Sequence, residues 1–303
     1  MTLPFDEVRQ KALALGWDDV GATEPRISEE NIQSYLDWLE AGMHADLHYM
    51  ENIARTQAET VFPGARSALI FVSYYKQEKL PFDPEKGLIA SYARGRDYHH
   101  VHRKRLKKMI AWLEETSREQ GIARGFSDSA PVLEKALAVQ AGLGWFGKNT
   151  LLIHRRFGTF TLLSGLFTSL EITEKSLEMR LPRCGSCTRC LDACPTQALT
   201  PYRLDASKCL SYHLIESKKD LPVEIVKKNP GYAFGCDICQ DACPHNARKT
   251  ASQTAEFQPT SGLGAYLTQD LLTALKSHPE ILHGTPLQRR GVAGLEKNQN
   301  SLL

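Results

Sequence analysis

Apolar residues recur at helical spacing from the start of the chain: Phe5, Val8, Ala12 and Leu15 share one face, and Gly16 follows as a C-terminal cap. Ser28 is placed to cap a second helix, with Glu29 and Glu30 in its first turn and Ile32, Tyr35, Leu36 and Leu39 facing inward as far as Gly42. After Pro63-Gly64 the run Ser67–Tyr75 is short, β-branched and aromatic, which predicts a buried strand. A long helix is predicted over Tyr98–Gln120, with Leu106, Met109, Ile110 and Leu113 as its apolar stripe. Ile122–Phe126 reads as a strand, Val132–Ala141 as a helix, and Leu151–His154 with Thr159–Leu170 as a β-hairpin. The pattern turns polar at Glu171–Arg180, and cysteines follow. The expected organisation is a mixed α/β (α+β) domain over 1–175, a cysteine-rich domain over 176–255 and a helical, polar segment over 256–303. That last segment holds one helix near Tyr266–Lys276 and a tail, Gly294–Leu303, expected to be mobile.

Composition adds boundaries. The 303 residues suffice for about two cored domains, and 42% hydrophobic with 24% charged residues is ordinary for a folded protein. No apolar run reaches the ~18 residues that span a bilayer. The N-terminus MTLPFDEVRQ has no secretory pattern, so a cytoplasmic location is expected. The net charge of +2 means that any nucleic-acid binding must come from local patches.

All eight cysteines lie between Cys184 and Cys243. A disulfide framework spreads cysteines across a fold, whereas a metal site gathers them. Cys184, Cys187, Cys190, Cys194 and Pro195 form C-x2-C-x2-C-x3-C-P, and Cys236, Cys239, Cys243 and Pro244 form C-x2-C-x3-C-P. In two-cluster ferredoxins three cysteines of such a run hold one [4Fe–4S] cube and the fourth reaches the other. The crossed assignment places Cys184, Cys187, Cys190 and Cys243 on one cluster, and Cys194, Cys209, Cys236 and Cys239 on the other. Paired zinc sites are the alternative, but zinc takes two CxxC pairs and has no need of a repeated CxxxCP. The clusters imply electron transfer without naming its acceptor.

Gly142-Leu-Gly144-Trp-Phe-Gly147 satisfies G-x-G-x-x-G, yet phosphate cradles need a strand before and a helix after, and here the order is reversed. Arg94, Arg96, Arg103, Lys104, Arg105, Lys107 and Lys108 make the strongest basic cluster, and Lys218, Lys219, Lys227 and Lys228 a second one. A solvated helix face is the default reading of such a cluster; a phosphate surface is the alternative. His99, His100 and His102 read as polar packing or phosphate contacts. Asp128, before Ser-Ala-Pro131, reads on its own as a helix cap.

Several segments together resemble one family, the epoxyqueuosine reductases of tRNA queuosine biosynthesis. They are Ala90-Ser-Tyr-Ala-Arg94-Gly-Arg96-Asp-Tyr-His99, Asp128-Ser-Ala-Pro131-Val-Leu-Glu134, Ala141-Gly-Leu-Gly-Trp-Phe-Gly-Lys148, Cys209-Leu-Ser211-Tyr212 and Tyr232-Ala-Phe-Gly-Cys236-Asp237. The resemblance implies a nitroreductase-like cobalamin-binding domain followed by a ferredoxin-like two-cluster domain. It also implies reduction of the epoxide of epoxyqueuosine at the wobble position of tRNA, the last step to queuosine. The implied cobalamin contacts are Arg55, Tyr92, Tyr98, Asp128, Gly147, Lys148, Asn149, Ser211 and Asp237. The implied tRNA contacts are Arg94, Arg96, Arg103, Arg105, Lys107, Lys218 and Lys219. Many members carry HEAT-like repeats after the position of Leu295, so a short form is expected here, acting as a monomer and fed by a low-potential electron donor. In the D-x-H-x-x-G cobalamin motif His102 stands where the glycine belongs, so no protein histidine is expected on cobalt. Asp128 becomes the expected proton donor, with its pKa raised by desolvation beside the corrin. A dehalogenase-like reductase of a small molecule and a ferredoxin-type electron carrier are the other functional readings.

Overall fold

The computed structural model describes residues 2–83, 85–173 and 184–302. Its centre is a four-stranded antiparallel sheet in the order Asp19–Thr23, Ser67–Tyr74, Thr161–Thr168, Ala123–Phe126. Every residue of Ser67–Tyr74 is buried, which explains its unbroken apolar character: helices cover both faces of the sheet. Leu69 and Phe71 point into one core with Val8, Ala12, Leu106, Met109 and Leu113, drawn from the helices Phe5–Ala14 and Tyr98–Ser117. Ala68, Ile70 and Val72 point into the other with Phe126, Val132, Ala136 and Leu137. Trp17 stacks on Phe71 at 4.0 Å, and its indole N–H donates to Ser164 Oγ, so the large ring is buried without an orphaned donor.

The expected hairpin is corrected. Leu152–His154 pairs with Gly144–Phe146, while Thr161–Thr168 runs the full length of Ser67–Tyr74. The eight-residue strand buries more by joining the central sheet than it would against a three-residue partner. Gly165 lets this pairing close, because a Cβ there would lie 2.5 Å from the Phe126 ring. The glycine-rich segment is, as anticipated, a helix-to-strand turn: the helix Glu134–Gln140 ends at Gly142, whose φ is +75°, and a strand follows.

A second sheet joins distant parts of the chain: Gly87–Ile89 lies between Tyr232–Phe234 and Tyr266–Leu267. The expected mobile tail is also corrected, since Gly291–Asn300 is a helix with Leu295, Asn298 and Gln299 buried. Asn298 Nδ2 donates to the carbonyls of Leu214 and Ala233 at 2.8 Å, so a polar residue holds this helix in place. The predicted 175/176 boundary lies outside the described residues. Among those residues no helix is long and apolar enough to cross a membrane.

Candidate active site and cluster cysteines

Asp97 caps the helix Tyr98–Ser117 by accepting the His99 N–H at 2.9 Å, which brings Tyr98 and His99 side by side at the helix start. Asp128 follows the strand Ala123–Phe126 and meets them. Its Oδ2 accepts the Tyr98 hydroxyl at 2.8 Å and lies 3.6 Å from His99 Nε2, while His99 Nδ1 is 2.7 Å from Asp97 Oδ1. Asp128 is not the helix cap: Leu133 occupies that position without a side-chain cap bond. Instead its backbone N–H donates to Glu134 Oε1 at 2.6 Å, and its φ is +59°. A non-glycine residue in that region is strained by roughly 1–2 kcal/mol.

The expected elevation of the Asp128 pKa is corrected as well. The protonated His99 beside it outweighs desolvation and, with the hydrogen bond from Tyr98, holds the carboxyl below its ordinary value. Burial alone would lower His99, but its bonds to Asp128 and Asp97 raise it to about 9. Burial, helped by the charge of Asp128, raises Glu134 to about 8. At neutral pH the site therefore holds an ionised Asp128, a protonated His99 and a neutral Glu134.

The Asp128 side chain is 69% accessible, so its carboxylate is open to a ligand from solvent. Tyr49, Arg55 and Arg289 border it. Arg55 donates to the carbonyls of Tyr49 and Ala130, and both guanidinium groups lie over the Tyr49 ring. Arg289 is itself clamped on Glu216 by bonds of 2.6 and 2.5 Å. Tyr92 stands edge-on to Tyr98 at 6.3 Å. His99 is engaged by its two acids, and buried His102 bonds Ser127 and Ser73 at 3.0 Å each, so neither imidazole is free for a metal. Sequence reasoning missed Tyr49, Glu216 and Arg289, which lie far apart in the chain; for His99 the signal was present in Asp97-Tyr-His99 at a helix start.

Cys184, Cys187, Cys190 and Cys243 line one cavity together with Lys148, Asn149 and His245. Burial raises the thiols of Cys209, Cys236 and Cys239, and each also feels neighbouring cysteines: Cys194 beside Cys209, Cys239 and Cys209 beside Cys236, and Cys209, Cys194 and, more weakly, Cys190 beside Cys239. Thiols spread around a cavity suit a cube of iron and sulfide, and cluster iron takes them as thiolates. Trp145, packed against Cys243 and Cys184, has a buried indole N–H with no partner, a donor available to sulfur.

The remaining predicted residues fall in three places. Lys148 donates to the Gly185 carbonyl at 2.7 Å, buried Asn149 lies 3.5 Å from the Cys239 carbonyl, and Gly147 is buried in the same turn. Ser211 is half-buried in the short helix Leu210–Ile215 behind Cys209, and buried Asp237 accepts the Ser91 N–H at 2.7 Å. Of the residues expected to meet tRNA, Arg96, Arg103, Lys107, Lys218 and Lys219 are exposed, Lys219 in an ion pair with Asp46. Arg94 and Arg105 are corrected: both are buried. Arg94 donates to the Ile89 carbonyl and Arg105 to Ser73 Oγ, so their donors satisfy interior acceptors and are not free for phosphate.

The fold and the cysteine constellation define an iron–sulfur redox protein. Residues 183–246 match the 4Fe-4S double cluster binding domain, and residues 55–129 match the family described as "Epoxyqueuosine reductase QueG, DUF1730". The chain is 38% identical over 296 residues to the epoxyqueuosine reductase of Leadbetterella byssophila, covering 96% of each. It is 40% identical over 252 residues to that of Synechocystis, covering 82% of this chain and 85% of the relative. Among solved structures, the epoxyqueuosine reductase of Streptococcus thermophilus superposes with a TM-score of 0.84 at 27% identity, over 99% of this chain and 80% of that one. An epoxyqueuosine reductase with an epoxyqueuosine-modified tRNA-Tyr stem loop gives 0.85 at 25% identity, with the same coverage. The chain belongs to the epoxyqueuosine reductase family.

Proposed function

We propose that this protein reduces epoxyqueuosine to queuosine in tRNA, in the cytoplasm and as a monomer, with two [4Fe–4S] clusters in the crossed ligation given above. The observation that carries the reading is the exposed Asp128 carboxylate, held beside Tyr98 and His99, in a chain that also brings together the cluster cysteines. Converting an epoxide to an alkene takes two electrons and two protons and releases water. Cobalamin, when bound, supplies a low-potential cobalt centre for the electrons. Arg55, Tyr92, Tyr98 and Asp128 would hold it on one side, with Gly147, Lys148, Asn149, Ser211 and Asp237 toward the cluster cysteines. The protein's own contribution is the first of the two protons, the second coming from solvent. Asp128 relays it from protonated His99 to the oxygen that leaves carbon, and Asp97 keeps the imidazole aimed. Mass spectrometry of tRNA nucleosides from cells lacking the gene tests the function: epoxyqueuosine should accumulate, and an unchanged queuosine level would refute it.

His99 is raised to about 9, so its proton is present below that pH and lost above it. Single-turnover reduction should therefore fall as pH rises through about 9, and His99→Gln should abolish that limb. Because Glu134 titrates near 8 in the same site, Glu134→Gln serves as the control and should leave the limb in place. An alkaline limb that survives His99→Gln would assign it to another group.

For tRNA, the exposed Arg96, Arg103 and Lys107 form the proposed phosphate surface, with Lys218 and Lys219 as a second patch. Reversing the first three to Glu should weaken binding and lower the slope of log K against log salt by about 0.7–0.9 per lost contact. An unaltered slope in a filter-binding titration would remove this face from the interface.

A further inference from the structure

The two cysteine groups sit in different surroundings. Residues beside Cys194, Cys209, Cys236 and Cys239 are largely interior: Thr196, Tyr212, Asp237 and Gln240 are all buried. The loop between Cys184 and Cys190 is open, with Gly185, Ser186, Thr188 and Arg189 exposed. Lys148 pins this loop through the Gly185 carbonyl, and both Lys148 and His245 line the Cys184, Cys187, Cys190 and Cys243 cavity. The turn after His154 packs beside them, because a Cβ on Gly158 would lie 3.0 Å from the His245 carbonyl. That turn presents Arg155 and Arg156, and exposed Arg248 follows His245.

Charge on this face is one-sided. Segments 144–158, 184–192 and 243–250 together contain six Lys or Arg and one acid, Asp192, in a chain whose total is only +2. Asp19 lies 3.2 Å from His154 and Asp18 accepts the Tyr74 N–H at 2.7 Å, and both carboxylates also feel Arg156, so the excess positive charge of these segments rests on Lys148, Arg155, Arg189, Arg248 and Lys249. A basic rim around a surface-near redox centre steers an acidic partner into contact at the point where electrons must enter.

We propose that the face formed by Gly185–Arg189, Arg155, Arg156 and Arg248 docks an acidic one-electron carrier protein, which reduces the cluster held by Cys184, Cys187, Cys190 and Cys243. The inference rests on the crossed ligation proposed above. At each encounter the carrier loses one electron and a [4Fe–4S]2+ cluster becomes [4Fe–4S]+, with no bond made or broken. Two encounters supply the two electrons of the epoxide reduction. RNA is the other polyanion that such a face attracts. A redox partner is favoured because the basic rim surrounds a cluster site.

The test uses the holoenzyme with both clusters and the double variant Arg155→Glu, Arg248→Glu. Anaerobic stopped-flow absorbance near 400 nm follows cluster bleaching by a reduced acidic [2Fe–2S] ferredoxin at low salt. The second-order rate should fall about 10- to 100-fold in the variant, and added salt should slow the wild type toward the same value. Bleaching by dithionite, iron content and tRNA affinity should not change. An unchanged ferredoxin rate would overturn the proposal, and so would a loss of tRNA affinity, which would assign the face to RNA. If the anaerobically purified wild type holds fewer than about eight irons and eight acid-labile sulfides per chain, the two-cluster reading itself fails, and the docking face with it.

Discussion

Asp128→Asn is expected to leave a folded protein with both clusters and normal tRNA affinity that reduces epoxyqueuosine about 10²- to 10⁴-fold more slowly, the usual consequence of breaking the proton transfer of general acid catalysis. Asparagine is the right probe here. The φ of +59° is tolerated by Asn almost as well as by Asp, and the side-chain oxygen can still accept the Tyr98 hydroxyl, so the loop keeps its shape. The amide cannot pass a proton from His99. Alanine would confound the result by adding backbone strain. A purely structural Asp128 predicts the opposite: some loss of thermal stability with the single-turnover rate intact. Single-turnover assays by nucleoside mass spectrometry decide, and a rate within threefold of wild type would show that the proton comes from another group.

The second large effect concerns iron. If ligation is crossed, Cys243 and Cys184 serve one cluster, while Cys239 serves the other. Cys243→Ala combined with Cys184→Ala should then leave about four irons per chain, as either change does alone, by the sharing rule of two-cluster ferredoxins. Cys243→Ala combined with Cys239→Ala should leave almost none. Uncrossed ligation predicts the reverse, because Cys239 and Cys243 would then share a cube and their joint loss would spare the other. Anaerobic iron analysis, with EPR of the reduced protein, reads the difference. Four irons surviving in the Cys243–Cys239 pair would overturn the assignment.

The elements and the cluster chemistry were legible because both are local. Periodicity located Ser67–Tyr75 and Tyr98–Gln120 to within a few residues of the observed Ser67–Tyr74 and Tyr98–Ser117, since burial of one stripe or of a whole strand is written directly into residue order. Cysteine spacing announced iron–sulfur ligation for the same reason: a cube requires fixed short separations. Three features were decided only in space. Thr161–Thr168 chose the long central strand over its sequence neighbour because the larger buried interface wins. Arg94 and Arg105 look like surface charge in a basic run, and only packing shows that the carbonyl of Ile89 and the hydroxyl of Ser73 draw them inward. Asp128 was visible as a candidate, but its ionisation was not: the sequence predicts desolvation beside an apolar ligand, whereas the tertiary fold sets His99 and Tyr98 against the carboxylate. A pKa follows whichever neighbours the fold delivers, and residues 97–99 and 128 are adjacent only once the helix and the strand have packed together.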